Sequence, residues 1–325
     1  MSVPPVLRDR LRLPVIASPM FIVSNPELVI AQSTSGIVGS FPSLNARPES
    51  ELRHWLTRIT EALAEFDAEH PQTPSAPYAV NLIVHKTNDR LDHDLAVVEE
   101  FRVPIVITSL GARPEVNERI HAYGGIVLHD VINNVFARKA VDKGADGLIA
   151  VAAGAGGHAG TQSPFALIHE IRSWFDGPLV LSGSIAHGNS VLAAQAAGAD
   201  FAYIGSMFIA TDEANAAPDY KQMIVDSTAS DIVYSNLFTG VHGNYLRGSI
   251  IAAGLDPDAL PGSDSAAMNF AGGSAKDAKA WRDVWGAGQG IGSVDSVRPA
   301  AAVIERLVDE YEMARTRLSA VPVHT

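Results

Sequence analysis

The residues best suited to chemistry lie in short segments that follow apolar runs. GAGGHAG (154–160) places one imidazole, His158, among glycines. Glycine lets a backbone approach a flat ligand closely, and Gly156, Gly157 and Gly160 clear space beside the ring. Histidine exchanges a proton near neutral pH, so His158 is a candidate general base or acid. A flexible turn with an incidental histidine is the plain alternative. The glycines and the place after an apolar run favour the functional one. LSGSI (181–185) and IGSMF (204–208) offer N–H and hydroxyl donors without bulk at Gly183, Ser184, Gly205 and Ser206. Such loops can hold a phosphate without a lysine. Taken singly, each could be an ordinary Gly/Ser turn. In IASPM (16–20), Pro19 and Met20 would form a tight apolar ledge, and methionine sulfur packs well on aromatic rings. Core packing accounts for Met20 almost as well. Asn81 can donate and accept hydrogen bonds. It would suit the polar edge of a flat heterocyclic ligand, or cap a backbone group. His129 and Asp130 are adjacent and could line a pocket as a hydrogen-bonded pair. No His/Asp/Glu spacing suggests a metal site, and no GxSxG elbow occurs.

These segments need elements to position them, and the chain supplies a rhythm. Short runs rich in β-branched residues occur at 14–17, 36–40, 78–84, 104–109, 125–130, 147–152, 178–184 and 201–206. Amphipathic stretches separate them, such as ESELRHWLTRITEALAEF, with apolar residues three and four apart. The runs show little alternation, as parallel strands buried on both faces should. Eight such units predict a (β/α)₈ TIM barrel, in which chemistry gathers at the C-terminal ends of the strands. That places His158 after the sixth strand and the two Gly/Ser segments after the seventh and eighth, where this fold commonly binds phosphate. A doubly wound open sheet is the weaker rival, because no GxGxxG follows the first strand. After residue 210 the rhythm breaks. Residues 212–295 are read as an inserted, mostly helical subdomain, and 1–211 plus 296–325 as the barrel. Residues 296–318 predict a long closing helix, and the tail VPVHT a frayed end.

Composition sets outer limits. Of 325 residues, 47% are hydrophobic and 18% charged, enough for a large core. With no cysteine there is neither disulfide nor thiolate chemistry, which fits the cytoplasm. No apolar run is long enough for a membrane span, and no secretory signal is visible. The net charge of −12 and the lack of a basic stripe argue against nucleic acid as a partner.

Together, ASPM, VNL, AGAGGHAG, LSGSI, GADFAYIGSMF and WGAGQGIG resemble the nitronate monooxygenase (2-nitropropane dioxygenase) family, from residue 14 to about residue 292. ATDEANA (210–216) and TGVHGNYL (239–246) also resemble this family and the related flavin-dependent enoyl-acyl-carrier-protein reductase. The resemblance implies a TIM barrel with a helical domain and non-covalent FMN. It implies that His158 abstracts the α-proton of a nitroalkane and that Ser18, Pro19 and Met20 line the flavin. Ser182, Gly183, Ser184, Gly205 and Ser206 would hold the FMN phosphate, with Gly157 beside the ring. The segment from Trp285 to Gly290 would lie near the flavin or the domain junction. Two departures bear on the substrate. The usual glycine pair after the seventh strand is Gly183–Ser184 here, and some relatives carry a lysine near the flavin where this chain has Asp130.

The expected activity is oxidation of alkyl nitronates or nitroalkanes with O₂ to a carbonyl compound and nitrite. The alternative is an NAD(P)H-dependent FMN reductase of a quinone or enoyl thioester. A flavin-binding protein without turnover and a phosphosugar-type barrel enzyme are more remote. The expected partners are a small-molecule substrate and O₂, with neither nucleic acid nor membrane; a homo-oligomer is compatible.

Overall fold

In a computed structural model, which describes residues 4–8, 10–262 and 284–320, the strands follow the apolar runs closely. In chain order they are β1 (Val15–Ala17), β2 (Gly39–Pro42), β3 (Tyr78–Ile83), β4 (Ile105–Ser109), β5 (Ile126–Val131), β6 (Gly147–Val151), the two-residue β7 (Gly157–His158), β8 (Leu179–Ser182), β9 (Phe201–Ile204), β10 (Ile232–Ser235) and β11 (Gly243–Leu246). Eight of them form one parallel sheet in the order β1-β9-β8-β6-β5-β4-β3-β2. A parallel bridge from Ile16 to Val38 joins its two ends. The sheet is thereby rolled into the expected (β/α)₈ TIM barrel.

Alternation along each strand divides two cores. Ile16, Val38, Ile107, Leu128, Ile149 and Tyr203 fill the barrel. Their strand neighbours, such as Val80, Val106 and Val127, face the helices. Those helices are α2 (Pro26–Thr34), α3 (Glu51–Glu69), α4 (Leu91–Glu100), α5 (Pro114–Ala122), α6 (Asn134–Asp142), α7 (Pro164–Arg172) and α8 (Gly188–Ala196), whereas α1 (Pro5–Arg8) packs Leu7 into the barrel core. Asn25 and Asn133 start α2 and α6 by accepting the N–H groups of Leu28 at 2.9 Å and Phe136 at 3.0 Å. Each side chain satisfies an amide that the first turn leaves without a partner.

Beyond the barrel come α9 (Ser206–Ile209), α10 (Pro218–Asp226), α11 (Arg247–Ala252) and α12 (Ala300–Ser319). The last matches the predicted closing helix. It lies so close to α8 that a Cβ on Gly188 would sit 2.3 Å from the backbone nitrogen of Tyr311. Glu310, buried at this crossing, accepts the N–H of Gly188 at 2.8 Å and Nε of Arg306 at 2.8 Å.

Within 212–295 the described residues hold strands as well as helices. β10 and β11 pair antiparallel, and β11 pairs with β7. The expected subdomain also takes in 263–283, which lie outside the described residues, as does the VPVHT tail. No helix among the described residues is long and apolar enough to cross a membrane.

Candidate active site

His158 sits on β7, with Gly243 of β11 opposite it. This pairing draws the 154–160 loop under the antiparallel unit. Asn244 Nδ2 donates to the Ala155 carbonyl at 2.6 Å, and the Tyr234 hydroxyl donates to that of Ala159 at 3.0 Å. Nε2 of His158 lies 3.0 Å from Oγ1 of Thr239. The Thr239 hydroxyl donates its one proton to the Val241 carbonyl at 2.9 Å, so toward the ring it can only accept. With that hydroxyl as acceptor, the tautomer consistent with this bond carries its proton on Nε2. Burial pushes the His158 pKa down to about 4. The ring is thus neutral at physiological pH and able to take a proton. Thr239, Asn244 and Tyr234 carried no signal of their own in the sequence; only the TGVHGNYL stretch as a whole stood out.

The glycine loops meet at the same end of the barrel. Gly154 has φ +83°, and a Cβ there would lie 2.1 Å from Oγ of Ser184. Gly183 has φ +137° and Ser184 φ +56°, so the chain leaves β8 through two left-handed residues. After β9, a Cβ on Gly205 would lie 3.1 Å from Cβ of Ser18 and 3.5 Å from Sδ of Met20. This contact brings the segment Ser18–Pro19–Met20 against the β9 loop. The stretch from Trp285 to Gly290 ties the loops together. Gly288 donates its N–H to Oγ of Ser206 at 2.8 Å, and Gln289 donates to the Gly154 carbonyl at 2.9 Å. Trp285 stacks on Tyr220 at 4.9 Å, and the Tyr220 hydroxyl donates to the Gly286 carbonyl.

A polar ladder crosses the barrel interior beside this cradle. Asn81 Nδ2 donates to the Ile107 carbonyl at 3.0 Å and to Oγ of Ser109 at 2.7 Å, and that hydroxyl donates to Asp130 Oδ2 at 2.6 Å. Both amide protons of Asn81 are thus committed to the barrel, while Ser182 ends β8 on the far side. Oδ1 of Asp130 and the Tyr203 hydroxyl are buried with no hydrogen-bond partner among the described residues. Burial pushes Asp130 up to about 6. It also pushes the Tyr203 phenol up, with the Asp130 charge adding to the effect.

The expected His129–Asp130 pair does not form. Neighbouring residues of a strand point to opposite faces. Asp130 faces into the barrel, whereas His129 turns to the helix layer and meets Oγ1 of Thr108 at 2.6 Å. Burial holds His129 down to about 4.

The Asp130 shift has a measurable consequence. Its folded pKa exceeds the ordinary value of 3.8, so ionisation opposes folding. The penalty is absent below about pH 4, grows as the pH rises past the unfolded pKa, and is complete above about pH 6. Asp130→Asn removes it. Urea unfolding should show the variant gaining up to about 3 kcal/mol over the parent near pH 8, with the gain vanishing near pH 4. A variant that lost ground as the pH rose would contradict the assignment.

Comparison with known proteins bears on the family and the fold. The sequence model described as "Nitronate monooxygenase" matches residues 7–310. The Mycobacterium tuberculosis protein Rv1533 is 29% identical over 67% of this chain and 61% of its own length, so the match spans less than two thirds of that relative. The nitronate monooxygenase of Neurospora crassa is 24% identical over 91% of this chain and 88% of its own length. In three dimensions, the nitroalkane oxidase of Streptomyces ansochromogenes superposes with a TM-score of 0.81, covering 95% of this chain and 99% of that one at 24% identity. FabK of Thermotoga maritima superposes with a TM-score of 0.76 at 23% identity, covering 97% and 96%. These likenesses to solved structures bear on the fold, while the family match covers the strands, the loops and His158 alike. The chain belongs to the nitronate monooxygenase family of flavin-dependent oxidoreductases.

Proposed function

We propose that the protein oxidises alkyl nitronates and nitroalkanes with O₂, using FMN, to a carbonyl compound and nitrite. The observation that carries this reading is a neutral imidazole held beside a glycine cradle at the mouth of a barrel. Proton abstraction from carbon next to a nitro group needs a base of this kind.

The residues present fit FMN. The loops at Gly183–Ser184 and Gly205–Ser206 supply small N–H and hydroxyl donors for a phosphate. Gly157 faces open space on which a flat ring could lie, while Gly154 and Gly156 let their loop pack against Ser184 and Gly288, with a Cβ on Gly156 only 2.8 Å from the Gly288 nitrogen. The unpartnered Asp130 Oδ1 and Tyr203 hydroxyl offer polar atoms to a heterocycle edge. Bound there, the flavin supplies the electron transfer between substrate and O₂.

The chain's own residues do the rest. The His158 imidazole takes the α-proton of a neutral nitroalkane. Oγ1 of Thr239 goes on accepting from Nε2–H, so the imidazolium that forms keeps its orientation. The loop clasped by Asn244 and Tyr234 holds the ring still while the proton moves.

The test is product analysis. Aerobic protein loaded with FMN should convert ethyl nitronate to acetaldehyde and nitrite in equal amounts, without NADH or NADPH. Absence of nitrite, together with NAD(P)H oxidation on a quinone or enoyl thioester, would replace this reading by the reductase one.

A further inference from the structure

Formed by the loops that follow β1 and β2 lies a cavity of about 490 Å³. Its size falls within the usual range for small-molecule sites, roughly 300–1,000 Å³. One wall is apolar and aromatic, formed by Phe21, Ile22 and Trp55. The lining also includes Arg47 and Arg58.

Three observations mark the cavity as built. Ile22 has φ +66°. A β-branched residue rarely adopts that conformation, and it is costly unless the surroundings impose it. The imposition is visible. Asn45 Oδ1 accepts the Ile22 N–H at 2.9 Å, while its Nδ2 donates to the carbonyls of Met20 at 2.9 Å and Ser24 at 2.8 Å. Asn215 Nδ2 grips the Ile22 carbonyl at 3.0 Å from outside. The strain turns an apolar side chain outward to 41% exposure at the cavity wall. Second, Arg47 is aimed: its Nε donates to the Leu44 carbonyl at 2.9 Å, and its guanidinium lies 5.3 Å from the centre of the Phe21 ring. Third, the charge is local. Arg58 pairs with Glu27, with side-chain exposures of 58% and 42%. So exposed a pair is weak and yields readily to a stronger anion. Two arginines against one glutamate make this cavity cationic on a chain of net charge −12.

Guanidinium groups recognise phosphate by paired hydrogen bonds, and flat rings stack on aromatic and apolar faces. We infer that this cavity is a second binding site, for a nucleoside phosphate: the phosphate lies between Arg47 and Arg58, and the base lies against Phe21, Ile22 and Trp55. A free nucleotide and the nucleotide end of a nicotinamide dinucleotide share that chemistry.

The test uses the whole chain and calorimetry, so it does not depend on the flavin reading. Titration with 5′-AMP should give a dissociation constant below about 1 mM, at least tenfold tighter than inorganic phosphate or adenosine alone. The double variant Arg47→Ala/Arg58→Ala should bind AMP at least tenfold more weakly, with an unchanged thermal midpoint because both side chains are exposed. NADH competing with AMP would assign the dinucleotide source; failure to compete would assign the free nucleotide. No heat at about 10 mM AMP, equal affinity in the double variant, or phosphate binding as tightly as AMP would each overturn the proposal. If AMP binds but nitronate is not oxidised, the cavity stands and the proposed activity falls. The reverse result sinks the cavity alone.

Discussion

His158→Asn slows turnover of neutral nitroalkanes by about 10²–10⁴-fold, the usual worth of a general base. The same variant keeps most of its rate on preformed nitronates, which have already lost the α-proton. Asparagine preserves polarity and approximate size but has no lone pair of comparable basicity. The contrast between the two substrates therefore isolates proton transfer from positioning. Steady-state kinetics on paired nitroalkane and nitronate substrates check it. An equal loss on both would assign the ring to binding or to flavin orientation, and unchanged rates would remove His158 from the mechanism. The burial that holds its pKa near 4 adds a pH signature. Nitroalkane turnover should stay level from neutral pH down toward about 5 and fall only as the imidazole protonates near 4.

Gly205→Asp should weaken flavin binding. The new Cβ would lie 3.1 Å from Cβ of Ser18, within the contact that joins the β1 and β9 segments. Its carboxylate would sit beside Ser206, where the phosphate is expected. Two like charges about 5 Å apart at an effective dielectric near 20 repel by about 3 kcal/mol, which weakens FMN roughly 100-fold. Quenching of FMN fluorescence measures the change, and circular dichroism checks that the barrel has formed. Gly205→Ala should bind far more nearly as the parent does, since it adds the methyl without the charge. Parent-like FMN affinity in the aspartate variant would place the phosphate elsewhere.

The barrel was legible because its strands are buried on both faces and read as continuous apolar runs. Even the overruns have a cause. The runs at 178–184 and 201–206 extend past β8 and β9 because their Gly/Ser ends belong to the left-handed exit at Gly183–Ser184 and to the start of α9. What stayed hidden depends on pairing between distant residues. β7 is two residues long and exists only because β11 lies beside it. The hydrogen bond from His158 to Thr239 spans the same separation, and no local pattern announces it. The antiparallel pair β10–β11 carries strand-forming residues in IVYS and GNYL, but each run is short and lies beside helical segments such as PDYKQMIVDSTAS. His129 and Asp130 are different. The period of two along a strand already separates their side chains, and only their adjacency suggested a pair. The cavity under Ile22 was out of reach, since its strain comes from Asn45 and Asn215, far apart in the chain.

The central claim is that electrons pass from a nitronate to flavin held in this barrel. The most direct measurement is anaerobic mixing of the FMN-loaded protein with ethyl nitronate and, separately, with NADH and NADPH, while the flavin absorbance near 450 nm is followed. The account predicts bleaching by nitronate within the turnover time and recovery of the oxidised spectrum when O₂ is admitted, with nitrite in solution. A flavin that stays oxidised with nitronate but bleaches with NADH or NADPH would contradict it.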